Sequence, residues 1–448
     1  MLKLFLWLKY LRRRRIVLLS IVAVALSVSL LIVVASIFSG FITALEQSAV
    51  EMVGDVAMGA PVGTTFERYP EFLEQLEQTN IVAAATATLS AQGLLHLGKG
   101  NVRPVTIWGI QPDRRTQVTG FKNSLLRQGA MPGAPSFGVP DAADTIGGFV
   151  GIGVAAKPDE KTDEYDRDAI LQEVIGSQVA ATTGTLETAE GSDGIPKRRS
   201  ISFQVVDLVY TGVHEFDSAF IYLPIEVVQK ELYPSKEGSF ATRFHIKLKP
   251  GVDPQVAVAQ IRGLWRVFAT EKLGWSPYLV AVTDIQTARQ MQSQYIGEVR
   301  KQMGILLVIF GVISFSVVVL VFCIFYMMVK LKQRDVAVIK SCGAANWSVV
   351  WLFLGFGFTV GVTGSGIGAA LGYVITRNIN VVEEWIRILF GLKLWKSSVY
   401  MFAKIPNQVD WGLALPIVGL AIVAAALGAL IPALVAARTR PVEVLRYE

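Results

Sequence analysis

Four uninterrupted apolar stretches punctuate the chain: Ile16–Phe41, Met303–Val329, Ser348–Ile375 and Trp411–Ala437. Each holds about 20 or more residues with almost no charge, enough as a helix to cross a hydrocarbon core roughly 30 Å thick. Their placement is lopsided: one stands near the start, a long polar segment follows, and three crowd the last third. The pattern predicts a membrane α-helical protein with four transmembrane helices. A large α+β domain is inserted between the first and the second.

The first helix is expected to outrun the membrane, because Leu45 and Val50 continue its period with Glu46, Gln47 and Glu51 interleaved. The second should mirror it. Ile285, Ala288, Met291, Tyr295 and Val299 recur at helical steps, so 283–303 reads as one amphipathic helix capped at Thr283 or Asp284 and running into the apolar stretch. Two stiff stalks would carry the inserted domain. Within it, alternation predicts strands at 86–89, 94–97, 105–110, 201–209 and 243–248, and helices at 66–77, 225–232 and 254–270. In 243–248 the alternation puts Phe244, Ile246 and Leu248 inside and His245 on the solvent face. Two stretches read as loose: 129–153, rich in Gly, Pro and Ala, and the polar 187–199. The second lies between a strand-like 179–186 and the strand 201–209. It reads either as the projecting tip of a β-hairpin or as a disordered surface loop.

Composition agrees with a membrane location: 52% of residues are hydrophobic and only 17% charged, and the mean hydropathy is +0.46. The net charge of +6 could signal a nucleic-acid partner, but its placement argues otherwise. Lys3, Lys9 and Arg12 to Arg15 precede the first span. Lys330, Lys332, Arg334 and Lys340 lie between the second and third, and Arg438, Arg440 and Arg446 follow the fourth. Alternate crossing puts all three groups on one side, the pattern of cytoplasmic flanks. The first stretch is too long for an ordinary signal core and reads as an uncleaved anchor. The expected organisation is a cytoplasmic N-terminus (1–15), a span (16–41), an outside domain with stalks (42–302), a span (303–329), a cytoplasmic loop (330–347), a span (348–375), an outside loop (376–410), a span (411–437) and a cytoplasmic C-terminus (438–448). That is a multi-pass membrane protein with both termini on the cytoplasmic side.

Chemistry is sparse. Both cysteines, Cys323 and Cys342, lie outside the large domain, which excludes a disulfide framework there. His96, His214 and His245 are scattered, and Asp55, Glu215 and Asp217 read as isolated solvated acids. No phosphate-cradling Gly-x-x-x-x-Gly-Lys loop, zinc-protease motif or nucleophile elbow occurs. No catalytic, metal or cofactor site is expected, so any ATP and Mg would be bound by a separate ATPase. The spans lack the buried charge that an ion pathway needs. Gly364, Gly368 and Gly372, four residues apart, predict close helix packing, with the third and fourth helices of one chain as the expected partners and a dimer contact as the alternative. In 330–347 (KLKQRDVAVIKSCGAANW) a basic start leads into the apolar-periodic Val336 and Ile339, a short surface helix that a partner's groove could grip.

RDVAVIKSCGAANW followed by a Gly-rich helix resembles the FtsX-like permease domain of ABC transporters. The ending IPALVAARTRPVEVLRYE resembles that family's C-terminus, particularly its LolC/LolE lipoprotein-releasing branch. LKYLRRRR, GDVAMGAP (54–61) and the segment 385–411 are similar to that branch too. The resemblance implies a MacB-type (type VII) arrangement in a bacterial inner membrane, with the outside domain (42–302) and the outside loop (376–410) in the periplasm. Two permease chains, like or unlike, pair over two cytosolic ATPase subunits. Arg334, Asp335, Ile339, Lys340, Gly343 and Ala344 would form the coupling segment that the ATPase grips. The branch moves acylated proteins from the membrane to a periplasmic carrier, which docks on a projecting hook. By position Ile195, Pro196, Lys197, Arg198 and Arg199 are the candidates for that contact. Ile37, Phe38 and Phe41 with Met303, Leu306 and Leu307 are the candidate walls of a cavity for lipoprotein acyl chains. The partners implied are thus the ATPase, a second permease, a carrier, lipoprotein cargo and membrane lipid, with no nucleic acid. A MacB-like exporter, an FtsX-like signalling protein without transport, and a sensory receptor are the alternatives. The last is disfavoured by cytoplasmic pieces too short for a signalling domain.

Overall fold

The computed structural model describes residues 15–98, 100–140, 142, 144–184, 198–234 and 236–438. In chain order the principal helices are α1 (Arg15–Val53), α2 (Tyr69–Glu77), α3 (Pro112–Val118), α4 (Ile225–Leu232), α5 (Pro254–Glu271), α6 (Ser293–Leu331), α7 (Gln333–Ser341), α8 (Asn346–Arg377), α9 (Ile379–Phe390) and α10 (Trp411–Arg438). The strands are β1 (Val56–Gly59), β2 (Phe66–Glu67), β3 (Val82–His96), β4 (Val102–Ile110), β5 (Gly147–Gly151), β6 (Gln178–Gly184), β7 (Arg198–Val209), β8 (Phe220–Pro224), β9 (Phe240–Ala241), β10 (Arg243–Leu248) and β11 (Asp284–Thr287). The chain divides into two compact units. One gathers Met1–Thr43, Ile296–Trp385 and Ile405–Glu448; the other gathers Ala44–Tyr295 and Ile386–Lys404.

The first unit is helical. Among the described residues four helices, within α1, α6, α8 and α10, are long and apolar enough to cross a membrane. Their all-round apolarity makes sense only against lipid or protein. On α1 one stripe is buried (Val17, Ile21, Val24, Ala25, Val28, Ile32, Ala35), while Leu18, Val22, Leu26 and Leu30 on other faces are exposed. The stripe repeats every three or four residues, as a helix packed on one side requires. On α6 burial is confined to Val321, Ile324, Phe325 and Val329 in the apolar part, with Ile305, Val308, Ile309, Val312 and Ile313 exposed.

The glycines of α8 divide their work. A Cβ on Gly364 would stand 2.9 Å from Val24 Cβ, one on Gly368 2.6 Å from Ala25 O, and one on Gly372 3.1 Å from Ile32 Cβ, all on α1. The expected partner for these three was the fourth helix; the observed one is the first. Close approach to α10 is carried instead by Gly357 and Gly361, where a Cβ would lie 2.5 Å from Ala429 Cβ and 3.0 Å from Ile422 Cα. Spacing identifies a face that admits another backbone, but not whose backbone it is.

The second unit is built on one large sheet in the order β11-β1-β10-β3-β4-β8-β5-β7-β6. The fifteen-residue β3 pairs with β10 along its first half, and residues 93–96 pair with β6. The six strands from β3 round to β6 therefore close on themselves. Gly93 permits the closure, since a Cβ there would sit 2.8 Å from Thr182 O. The core below β3 and β10 is aromatic. Trp265 of α5 lies edge-on to Phe66, with centroids 4.9 Å apart, and donates Nε1–H to Thr283 Oγ1 at 3.0 Å.

Three further expectations are corrected. The stretch 129–153 is not loose throughout, because it holds β5, buried along its whole length between β7 and β8. Residues 283–303 are not one helix. The segment 284–287 is β11, paired with β1, and a capping box joins Thr287 to Gln290 ahead of a short helix at Ala288–Met291. The long helix starts at Ser293. Thr283 is not an N-cap: it stands at the C-cap of the short helix Pro277–Val282 and donates both its N–H and its hydroxyl to Leu279 O. His245 is fully buried, not solvent-facing. It lies opposite Thr86 in β3 and Ala57 in β1, on a central strand covered on both faces.

Candidate functional site

The segment 330–347 contains α7, and its sequence explains its ends. Lys332 pairs with Asp335 across the first turn. Gly343, at φ +91°, takes the left-handed conformation that ends the helix, donating its N–H to Lys340 O at 3.0 Å. One face is seated in the helical unit: Val336 and Ala337 are buried, and Val336 packs with Val329, Val349 and Val350. Lys340 Nζ donates to Ala437 O at 2.7 Å, placing a cation on the last turn of α10, where the helix dipole favours it. The other face, with Arg334, Val338, Ile339, Ser341 and Cys342, is exposed. Val336 and Ile339, expected on one apolar stripe, thus part company: one anchors and the other is presented.

At the other end of the spans, Asp410 caps α10, accepting from Gly412 N at 2.9 Å and from Ser39 Oγ of α1 at 2.6 Å. Ser27 and Ser314 share a hydrogen bond of 2.8 Å between α1 and α6. Neither link is visible as a motif, since lone serines in apolar runs carry no periodic signal. Of the candidate cavity residues, Phe41 is buried, whereas Ile37, Phe38, Met303, Leu306 and Leu307 are half-buried.

In the inserted unit β6 and β7 form an antiparallel hairpin, with Thr183 opposite Arg199 and Gly184 opposite Arg198. Arg198 is exposed and Arg199 half-buried at the mouth of that hairpin. Ile195, Pro196 and Lys197 lie outside the described residues.

A cleft of about 220 Å³ in the same unit is lined by Tyr165, Arg167, Tyr210, His214, Asp217 and Lys404 among others. Asp217 is not solvated as expected. It is 2% exposed and accepts from Thr211 N (2.6 Å), Thr211 Oγ1 (2.8 Å) and Gly212 N (3.0 Å). Burial pushes its carboxyl up to about 6 despite those donors. Burial also pushes the Tyr165 hydroxyl up to about 12. The turn held by Asp217 receives residues 397–403, with His214 N donating to Met401 O and Ser397 N to Asp163 Oδ2, both at 2.7 Å. Asp55 is half-buried and accepts from Leu248 N at 2.8 Å, while Glu215 is exposed. Among the described residues no group of three His, Cys, Asp or Glu side chains is placed to hold a metal ion.

Residues 307–441 match the family of FtsX-like permease C-terminal domains. Over 98% of both chains, the protein is 26% identical to the lipoprotein-releasing system transmembrane protein LolC of Neisseria meningitidis. It is 24% identical to the lipoprotein-releasing system transmembrane protein LolE of Haemophilus influenzae, covering 95% of this chain and 93% of that one. Among solved structures, the periplasmic region of MacB from Actinobacillus actinomycetemcomitans aligns with 55% of this chain and 95% of its own length. That alignment has 14% identity and a TM-score of 0.32.

Proposed function

We propose that this chain, with an FtsX-like permease C-terminal domain and near-full-length similarity to LolC and LolE, is the permease subunit of an ABC transporter that extracts lipoproteins from the inner membrane. The observation that carries the reading is the similarity to lipoprotein-releasing relatives along almost the whole chain. In this reading the large domain and the loop 376–410 are periplasmic, and both termini and α7 are cytoplasmic. ATP and Mg are bound by two copies of a separate ATPase. A second permease, like or unlike, completes the pore side, and a periplasmic carrier receives the cargo at the β6–β7 hairpin.

The packing supports a lever. The exposed face of α7 is where the ATPase would press. Lys340 ties α7 to the end of α10, Gly357 and Gly361 tie α10 to α8, and Gly364, Gly368 and Gly372 tie α8 to α1. A push at α7 is therefore delivered to α1 through contacts too close to slip. The energetic task sets the need for a cavity. Each buried methylene holds an acyl chain by about 0.8 kcal/mol, so a lipoprotein's chains must pass from lipid to another apolar surface, never through water. The half-buried Phe38 and Leu306 are candidates for that surface.

The test is a photo-crosslinker at Phe38 or Leu306 in the chain reconstituted with its ATPase and a triacylated protein. Capture of the acylated protein, reversed by ATP, is expected. Capture of lipid alone at both positions, or ATP hydrolysis by the purified chain without an ATPase, would overturn the reading.

A further inference from the structure

The C-terminus of α1 ends inside the inserted unit, and the chemistry there is unusual. A helix leaves its last four carbonyls without intrahelical partners. Here each of the last four is satisfied by a different group. Val50 O accepts from Gly54 N (2.9 Å) and Glu51 O from Gly120 N (3.1 Å). Met52 O accepts from Arg115 Nη2 (2.9 Å), and Val53 O faces His245 Nδ1 (3.1 Å). A carbonyl can only accept, so the His245 ring carries its proton on Nδ1. Gly54, at φ +85°, makes the exit turn, where a Cβ would stand 2.8 Å from Ile246 O.

Arg115 is the odd member. It is 2% exposed, and among the described residues no carboxylate pairs with it. A buried charge without a counter-ion is expensive. Three features offset the cost. The guanidinium caps the negative end of a 39-residue helix. It lies 4.6 Å from the Trp108 ring centroid and 5.9 Å from that of Phe121. It also donates to Thr88 Oγ1 at 3.2 Å. Burial lowers its pKa only to about 10, so it stays charged at neutral pH. His245, also 5.9 Å from Trp108, is held neutral by burial and by the nearby Arg115 charge. Apart from Gly54 in the exit turn, the donors come from α3, the turn after it and β10, so the helix end is gripped from several elements at once. The other connection differs: α6 is separated from β11 by the short helix 288–291 and the non-helical Gln292.

We infer that Arg115 and His245 form a socket that locks the end of α1 to the sheet of the inserted domain, making α1 the stalk that transmits motion. The alternative role is simple stabilisation of the fold. The inference deepens the lever reading and rests on it: these are positioning residues for cargo release and touch neither nucleotide nor cargo. A socket with a charged, directional grip resists rotation and withdrawal of the helix, whereas apolar packing alone resists mainly separation.

The test uses the full chain with Cys323 and Cys342 replaced by serine and spin labels at Gln47 and Lys230, both exposed. Pulsed electron resonance is expected to give one narrow distance peak in this background and in Arg115→Lys, and to lose it in Arg115→Met. In proteoliposomes with the ATPase and a triacylated lipoprotein, cargo released per ATP hydrolysed is expected to fall roughly fivefold or more in Arg115→Met. ATP hydrolysis persists, and Arg115→Lys restores the ratio. If Arg115→Met does not fold, His245→Leu against His245→Asn, which retains a donor near Nδ1, gives the same comparison. A narrow peak and an unchanged ratio in Arg115→Met or His245→Leu overturn the socket. Failure of the unmodified chain to release any lipoprotein, with the spin-label contrast intact, removes the proposed function and leaves the socket standing.

Discussion

Adding a single methyl group at Gly368 should separate two membrane helices. In Gly368→Ala the new Cβ would lie 2.6 Å from Ala25 O, 2.9 Å from Val28 Cβ and 3.1 Å from Ala25 Cα, against an ordinary contact of 3.4 Å or more. Two of those atoms are backbone, so no rotamer change relieves the clash, and α8 must withdraw from α1 by several tenths of an ångström. A gap of that size forfeits a quarter to a half of each neighbouring dispersion contact, and overpacking of this kind typically costs about 1–3 kcal/mol. Gly366, two residues earlier on the same helix, has nothing within 4 Å of its Cβ position. Gly366→Ala should therefore keep or slightly raise stability, because alanine is the better helix former by roughly 1 kcal/mol. The assay is thermal unfolding of the two variants and the parent in one detergent at one scan rate, with the proposed ATP-driven release measured in parallel. Gly368→Ala is expected to unfold several degrees lower and to couple hydrolysis to release poorly; Gly366→Ala should match the parent. Equal midpoints for the two alanine variants would refute the assignment of Gly368 to the α1 contact.

Three further outcomes are expected. Gly343→Ala forces a side chain into the left-handed region at a cost of about 1–2 kcal/mol, and Lys340→Ala removes the bond to Ala437 O. Under the proposed function, each should weaken cargo stimulation of an added ATPase, read as hydrolysis with and without lipoprotein. Asp217 makes stability fall as pH rises. Its folded carboxyl titrates at about 6, above the ordinary 3.8, so the folded state holds an extra proton between those values and loses that advantage as pH climbs from about 4 to about 6. Thermal midpoints of the full chain against pH should show this slope, and Asp217→Asn should flatten it. Under the proposed function, substituting glutamate at both Arg198 and Arg199, at the mouth of the β6–β7 hairpin, should lower capture of the proposed periplasmic carrier without moving the unfolding midpoint. Unchanged capture would remove these residues from the docking candidates.

Much of the architecture is legible in local pattern. Ile225–Leu232 and Arg243–Leu248 appear at their expected bounds, and the four apolar runs lie within α1, α6, α8 and α10. The hairpin reading of 179–209 also follows from period and turn chemistry, and the observed β6–β7 ladder supplies its pairing. The miss at 284–287 has a local cause: four residues fit either a helical or an extended period, and pairing with β1 decided for strand. The break after it was signalled by Thr287 and Gln290, a capping box that competed with the stronger apolar rhythm.

The sequence by itself determines that the chain crosses a membrane, how many apolar helices it has, where the extra domain is inserted, and which helix faces admit another backbone. These depend on the length, periodicity and charge of contiguous segments, so neighbours along the chain carry the information. Tertiary structure alone decides that Gly364, Gly368 and Gly372 meet α1, that Asp217 and His245 are dry, and that Arg115, in an ordinary polar turn of sequence, closes the end of α1. Burial on a strand's second face and the partner of a helix end are set by segments tens to hundreds of residues away. Side-chain period reports only that two faces exist, and folding settles what covers each.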